Sequence, residues 1–243
     1  MSHTRPHLQG RDRRNTLRAV VPPTAFLHRL VDAVLPPRCI ACAQPTTRGN
    51  ARTNEPGPWC ALCAEQITGA PPAAAAAAGV KGAFVYAGPL ADAIVRAKVG
   101  RDVAVARALA AWWAVAAAPL LPPHDGVAFV PAPWQRRLRR GFDLPALLAS
   151  ALSDLDGARP VVDVLVARRH DARLALARSR DERAALVHGR FAARDTIAAW
   201  SGRTLLVVDD VRTTGATMGA ACAVVHDAGA RTVPVALALT PVA

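Results

Sequence analysis

Four cysteines fall in two pairs, Cys39-x2-Cys42 and Cys60-x2-Cys63, with 17 residues between the pairs. A C-x2-C places two thiolates on one tight turn, and two such turns facing each other complete a tetrahedral sulfur set of the kind that binds zinc. The spacing fits the zinc pattern of two C-x2-C pairs about 15–20 residues apart. Cys39, Cys42, Cys60 and Cys63 are therefore expected to hold one structural zinc. Four thiolates leave no open coordination position, which argues against a catalytic metal there. The fifth cysteine, Cys222, sits among small apolar neighbours in a helical pattern and reads as core packing.

A second stretch offers different chemistry. Leu205-Leu206-Val207-Val208 reads as a buried parallel strand, and Asp209 and Asp210 stand at its carboxyl end. Open α/β sheets bind ligands at such ends. The chain continues through Val211 and Arg212 into Thr213, Thr214, Gly215, Ala216 and Thr217, where a helix is expected to begin. Three hydroxyls, a glycine that admits close backbone approach and free N–H groups at a helix start make a phosphate cradle. Two carboxylates suit ribose hydroxyls and a neighbouring magnesium ion better than phosphate itself. Farther back, Arg136, Arg137, Arg139 and Arg140 occupy four of five positions after a proline-punctuated strand end. They cannot all face a core. Some are expected to meet a polyanion, since the planar guanidinium donates two bonds at once to phosphate.

These residues need elements to hold them. Residues 26–35 carry apolar side chains at helical spacing and stop at Pro36-Pro37. From Val80 onward, short aliphatic runs at 80–86, 127–131, 161–166, 204–208 and 232–239 alternate with helical patterns at 90–98, 103–117, 145–155, 181–188 and 216–228. That alternation implies an α/β domain with a parallel sheet covered on both faces. The expected layout is a basic disordered arm over 1–24, a helix and four-cysteine module over 25–70, an Ala/Pro linker over 71–79 and the α/β domain over 80–243.

Composition narrows the classes. Of 243 residues, 30 are Lys or Arg and 18 are Asp or Glu, giving a net charge of +12. Such a charge favours anionic partners without choosing among nucleic acid, phosphorylated metabolite and acidic surface. Only two of the basic residues are lysines, Lys81 and Lys98. The longest uncharged stretch, Ala108 to Pro123, is Ala-rich, ends in prolines and is shorter than the roughly 20 strongly apolar residues of a membrane helix. Pro22 and Pro23 interrupt the apolar stretch near the start, so no secretory leader is expected. A cytoplasmic location with reduced thiols follows, again favouring metal over disulfides. The seven histidines show no metal-ligand spacing, and neither a P-loop nor a nucleophile elbow is present. Trp112-Trp113 lies in an Ala-rich helix and reads as packing rather than a base-stacking platform.

Asp209-Asp210-Val211-Arg212-Thr213-Thr214-Gly215-Ala216-Thr217 resembles the phosphoribosyl-pyrophosphate signature of type I phosphoribosyltransferases. With the cysteine quartet ahead of it, the layout over roughly residues 26–240 is similar to that of the ComF family, which is associated with DNA uptake in competent bacteria. The resemblance implies a type I phosphoribosyltransferase-like sheet preceded by a zinc-ribbon-like module. It implies that Asp209 and Asp210 hold the ribose hydroxyls with magnesium and that residues 213–217 hold the 5′-phosphate. It further implies that the turn at 131–135 receives pyrophosphate. Lys98-Val99-Gly100 resembles a family element in which Lys98 contacts phosphate. Arg183 and Gly189-Arg190-Phe191 resemble another. Where the family has Asn-Gln after Arg-Gly-Phe, this chain has Asp143-Leu144, and Leu186 replaces an Asn. The elements facing a second substrate are thus altered while the cradle is intact. The expected function is transfer of a phosphoribosyl group to an unidentified acceptor with release of pyrophosphate. The competing expectation is a non-catalytic accessory that binds single-stranded DNA, with a DNA-uptake helicase as partner.

Overall fold

The structure is a computed structural model that describes residues 37–46, 57–157, 159–168 and 189–241. The basic arm over 1–24, the helix over 26–35, the helix over 181–188, Arg183 and Leu186 lie outside the described residues. The described residues make up one compact unit.

Its centre is a five-stranded, wholly parallel sheet of order β1 (Phe84–Val85), β7 (Arg231–Leu239), β6 (Thr204–Arg212), β2 (Gly126–Phe129) and β3 (Val161–Val162). The aliphatic runs behave as the alternation of strand side chains requires. Val127, Phe129, Leu206 and Val208 point to one face, and Ala128, Val130, Leu205 and Val207 to the other. The first face is covered by α3 (Gly88–Gly100), α4 (Val103–Ala117) and α6 (Leu144–Leu155). The second is covered by α7 (Ala216–Asp227), the antiparallel pair β4 (Leu165–Ala167) and β5 (Phe191–Ala193), and a 3-10 turn at Asp195–Trp200. Cover on both faces explains why β2 and Leu205–Asp209 of β6 are buried throughout.

Helix α4 shows how sequence sets this packing. Asp102 caps it by accepting from Val105 N at 3.1 Å, satisfying one of the unpaired N–H groups at a helix start. Val105, Leu109 and Trp113 then recur at helical spacing on the buried face. Trp113 Nε1 donates to Gly82 O at 2.8 Å. Gly82 cannot be replaced without strain, because a Cβ there would lie 2.9 Å from that of Ala117 and its φ is +67°. With the turn at Ala118–Leu120, Val103–Leu120 is long and apolar enough to cross a membrane by length and composition, yet its buried face is part of this core.

Several features differ from the sequence reading, among them the run expected at 161–166, which divides between β3 and β4 in two different sheets. The run at 71–79 is not a bare linker: Pro72–Ala78 forms helix α2, with Pro at its start and Gly79 left-handed at its end. Ala75 and Ala78 pack against Val80, Ala236 and Leu239. The basic segment after β2 forms a short helix, α5 (Trp134–Arg140). Finally, β6 runs on to Arg212 because β7 continues to pair with it through Leu239. At the β1 edge of the sheet, Val85 N donates to Thr68 O at 2.9 Å and Ala70 N to Ala83 O at 3.0 Å, so residues 68–70 run antiparallel along that strand.

Candidate functional site

The four cysteines converge. Around the first pair, Ala43 N donates to Cys39 O at 2.9 Å and Cys39 N to Gln44 O at 2.8 Å, closing a turn that holds Ala43 at a φ of 61°. The second pair straddles the start of α1 (Ala61–Glu65), with Cys60 at its N-cap and Cys63 one turn on. Ile40 N to Pro58 O, at 3.0 Å, joins the two turns. All four Sγ atoms lie within 4.8 Å of one another, and those of Cys42 and Cys60 are 3.7 Å apart. A tetrahedral zinc with bonds of about 2.3 Å requires sulfurs about 3.8 Å apart. The residues thus fit a metal ion such as zinc. Burial pushes the Cys39 thiol up, but the N–H groups of Cys42, Cys60 and Ala41 outweigh it and bring the thiol down to about 7. Burial, together with its sulfur neighbours, moves Cys63 the other way. The module is fastened to the rest of the unit by aromatic contacts. Trp59 meets Trp112 edge-on at 5.2 Å between centroids, and Trp112 lies 4.7 Å from Phe84. Trp112 and Trp113 are both packing residues.

A second cluster forms where β2 and β6 end. The chain leaving β2 passes through α5 and α6 to β3, on one side in the sheet order. The chain leaving β6 passes through α7 to β7, on the other. Adjacent strands whose connections diverge in this way open a crevice outside their carboxyl ends, where α/β proteins bind ligands. The β2–β6 ladder stops at Phe129 and Val208, and Asp209 and Asp210 follow at once.

Asp209 is buried, and its Oδ1 accepts from Asp210 N at 2.8 Å. Burial, and then the charge of Asp210, hold its carboxyl well above the usual carboxylate range, against the pull of that N–H and of Lys98. Lys98 reaches over from α3, its Nζ 2.7 Å from Asp210 Oδ1. Asp143, at the N-cap of α6, turns its Oδ2 to accept from Ala132 N at 2.9 Å and so fixes the turn after β2. Its carboxyl is also raised, mainly by burial, with Ala132 N–H, Arg137 and Arg140 opposing. Asp143 Oδ1 and Arg140 Nε are buried without hydrogen-bond partners among the described residues.

The loop after β6 turns at Gly215, whose φ is +81°, and α7 begins at Ala216. Thr213 and Thr214 are exposed, and Ala216 N points to Thr214 Oγ1 at 3.5 Å. Thr217 Oγ1 accepts from Arg190 Nη1 at 2.9 Å.

Of the residues expected at this site, the structure brings together Asp209, Asp210 and Lys98, the 213–217 loop follows them along the chain, and Arg137 and Arg140 act on Asp143. Arg136 and Arg139 are exposed on α5, beside exposed Trp134 and Leu138. Asp143, Arg190 and Arg212 were not singled out as site residues. For Asp143 the signal was there: an Asp followed by Leu-Pro is a helix-start pattern. Among the described residues the cysteines are the one group of three or more potential ligands whose donor atoms meet metal-binding separations. No protein-family model matches the chain, and no characterised protein matches it either.

Proposed function

We propose that the chain binds phosphoribosyl pyrophosphate with magnesium and transfers its phosphoribosyl group to an acceptor, as a cytoplasmic member of the ComF family with a type I phosphoribosyltransferase-like fold. The carrying observation is the Asp209–Asp210 pair at a topological switch point, followed directly by a glycine turn into a helix start. The two carboxylates take the ribose hydroxyls, and the 213–217 loop takes the 5′-phosphate. Magnesium is bound in such sites by one or two carboxylates plus ligand oxygens, so the two acids fit it, and it would neutralise charge on the leaving pyrophosphate. The turn at 131–135 would receive that pyrophosphate, a reading supported by Asp143 holding Ala132 N and by the charges of Arg137 and Arg140 beside Asp143. In the transfer, the acceptor bonds to the anomeric carbon as the carbon–oxygen bond to pyrophosphate breaks, and pyrophosphate leaves with the electron pair. Orientation and charge stabilisation suffice for this step.

Calorimetry with phosphoribosyl pyrophosphate and magnesium tests the binding, and a pyrophosphate-release screen across nucleobases and amines tests the transfer. Thr214→Val keeps shape while removing a hydroxyl, and is expected to weaken binding by about 1–3 kcal/mol. No binding to the folded protein at millimolar ligand would overturn the reading. A second reading, a single-stranded-DNA accessory working with a DNA-uptake helicase, draws on the exposed Trp134 and Leu138 flanked by exposed Arg136 and Arg139. DNA binding that is lost in Arg136→Ala/Arg139→Ala, with no phosphoribosyl pyrophosphate binding at all, would favour it.

A further inference from the structure

Two guanidinium groups converge on the loop that opens α7. Arg190 stands just before β5 and donates to Thr217 Oγ1. Its own carbonyl accepts from Arg168 N at 2.8 Å, and the adjacent Phe191 is buried in the core cluster that holds Met218 and Ala221 of α7. The arginine is therefore carried by a fixed backbone. From β6, the guanidinium of Arg212 lies against the α-carbon of Gly215. A Cβ at Gly215 would stand 2.7 Å from Arg212 Cζ. Arg212 Nε is buried and has no hydrogen-bond partner among the described residues.

Two cations beside the free N–H groups of a helix start match a doubly charged anion better than a singly charged one. Because the Thr217 oxygen accepts from Arg190, its own hydrogen is left to donate. A phosphodiester carries one negative charge, whereas a terminal phosphate monoester carries close to two above its second pKa of about 6. We propose that Arg190 and Arg212 clamp the 213–217 loop and make it selective for a terminal phosphate monoester, that of a pentose 5-phosphate. Arg190 is the positioning residue, acting through Thr217, and Arg212 the direct charge partner. This inference rests on the loop being the phosphate seat of the proposed function.

Calorimetry of the full chain with ribose 5-phosphate and with its monomethyl phosphate ester, between pH 5 and 8, tests it. At pH 7.5 ribose 5-phosphate is expected to bind at least about tenfold tighter than the ester. That advantage is expected to shrink as pH falls through about 6, where the monoester takes up a proton. Arg190→Met and Arg212→Met should each lose about tenfold or more for ribose 5-phosphate, lose little for the ester and flatten the pH profile. Arg190→Lys and Arg212→Lys, which keep the charge, should fall between, and melting curves check that each variant is folded. Equal affinity of wild type for both ligands, or folded Met variants with wild-type affinity and pH profile, would overturn the clamp. Phosphoribosyl pyrophosphate is titrated in parallel. If it binds wild type and both Met variants alike, the clamp fails and the proposed function stands. If ribose 5-phosphate shows the full pattern and phosphoribosyl pyrophosphate does not bind, the proposed function fails and the clamp stands. If neither ligand binds, both fail. A 5′-phosphorylated oligothymidylate that displaces ribose 5-phosphate, while its 5′-hydroxyl form does not, would overturn the sugar in favour of a DNA strand end.

Discussion

Asp209 holds its proton more tightly in the folded chain than in the unfolded one, because burial and the Asp210 charge oppose its ionisation. The unfolded chain ionises near the ordinary value of about 3.9, so between that value and the raised folded value the native state binds more protons. Stability from this group is therefore present below about pH 4 and is lost as pH rises through the folded pKa. Asp209→Asn keeps an oxygen to accept from Asp210 N and removes the titration. It is expected to melt higher than wild type at pH 7–8 and to match it near pH 4, which thermal melts across that range will read. The opposite sign is expected at Lys98, whose ammonium is 2.7 Å from a largely buried carboxylate. Lys98→Met should cost about 1–3 kcal/mol at pH 7, and adding Asp210→Asn should recover part of it by removing the unpaired charge. A double-mutant cycle measures that coupling.

At the scale of elements, the turn from β6 into α7 depends on Gly215. A non-glycine residue there meets the left-handed cost of about 1–2 kcal/mol and also collides with Arg212. Gly215→Ala should therefore destabilise the protein by at least that much in chemical denaturation, and Arg212→Ala in the same chain should recover only the collision. The central strands β2, β6 and β7 and the long helices were legible because their apolar residues repeat or run at strand and helix periods and face a core, whereas β5 was not expected and the run at 161–166 divides between β3 and β4. Helix α5 was not, because its apolar residues Trp134 and Leu138 are exposed and leave no core stripe to read. Helix α2 was legible in principle, as a run of the best helix former between a starting Pro and a stopping Gly, but repetition suggested a linker instead. At the site, Asp209, Asp210 and the threonine loop could be seen because they are contiguous. Arg190 could not, since only the folding of β5 against α7 brings it to Thr217.

For the molecule as a whole, the cysteine module and the sheet are not separable parts. Trp112 packs on both Trp59 and Phe84, and Cys39 and Cys63 belong to the same core as Leu90 and Leu109. Protein purified without added metal is expected to carry one zinc per chain. Cys60→Ser should release it, lower the melting temperature and alter tryptophan emission, and a metal content near zero in stable protein would refute this. The backbone of residues 68–70 lies along β1, the short strand that ends the parallel sheet. A bare strand edge is a template on which other chains can add strands, and here the segment leading out of α1 occupies it. The sulfur cluster thus stands guard over solubility as well as shape. Chelated protein is expected to grow into thioflavin-positive, sheet-rich aggregates at concentrations where the metal-loaded protein stays dispersed, and light scattering after chelation would follow the change.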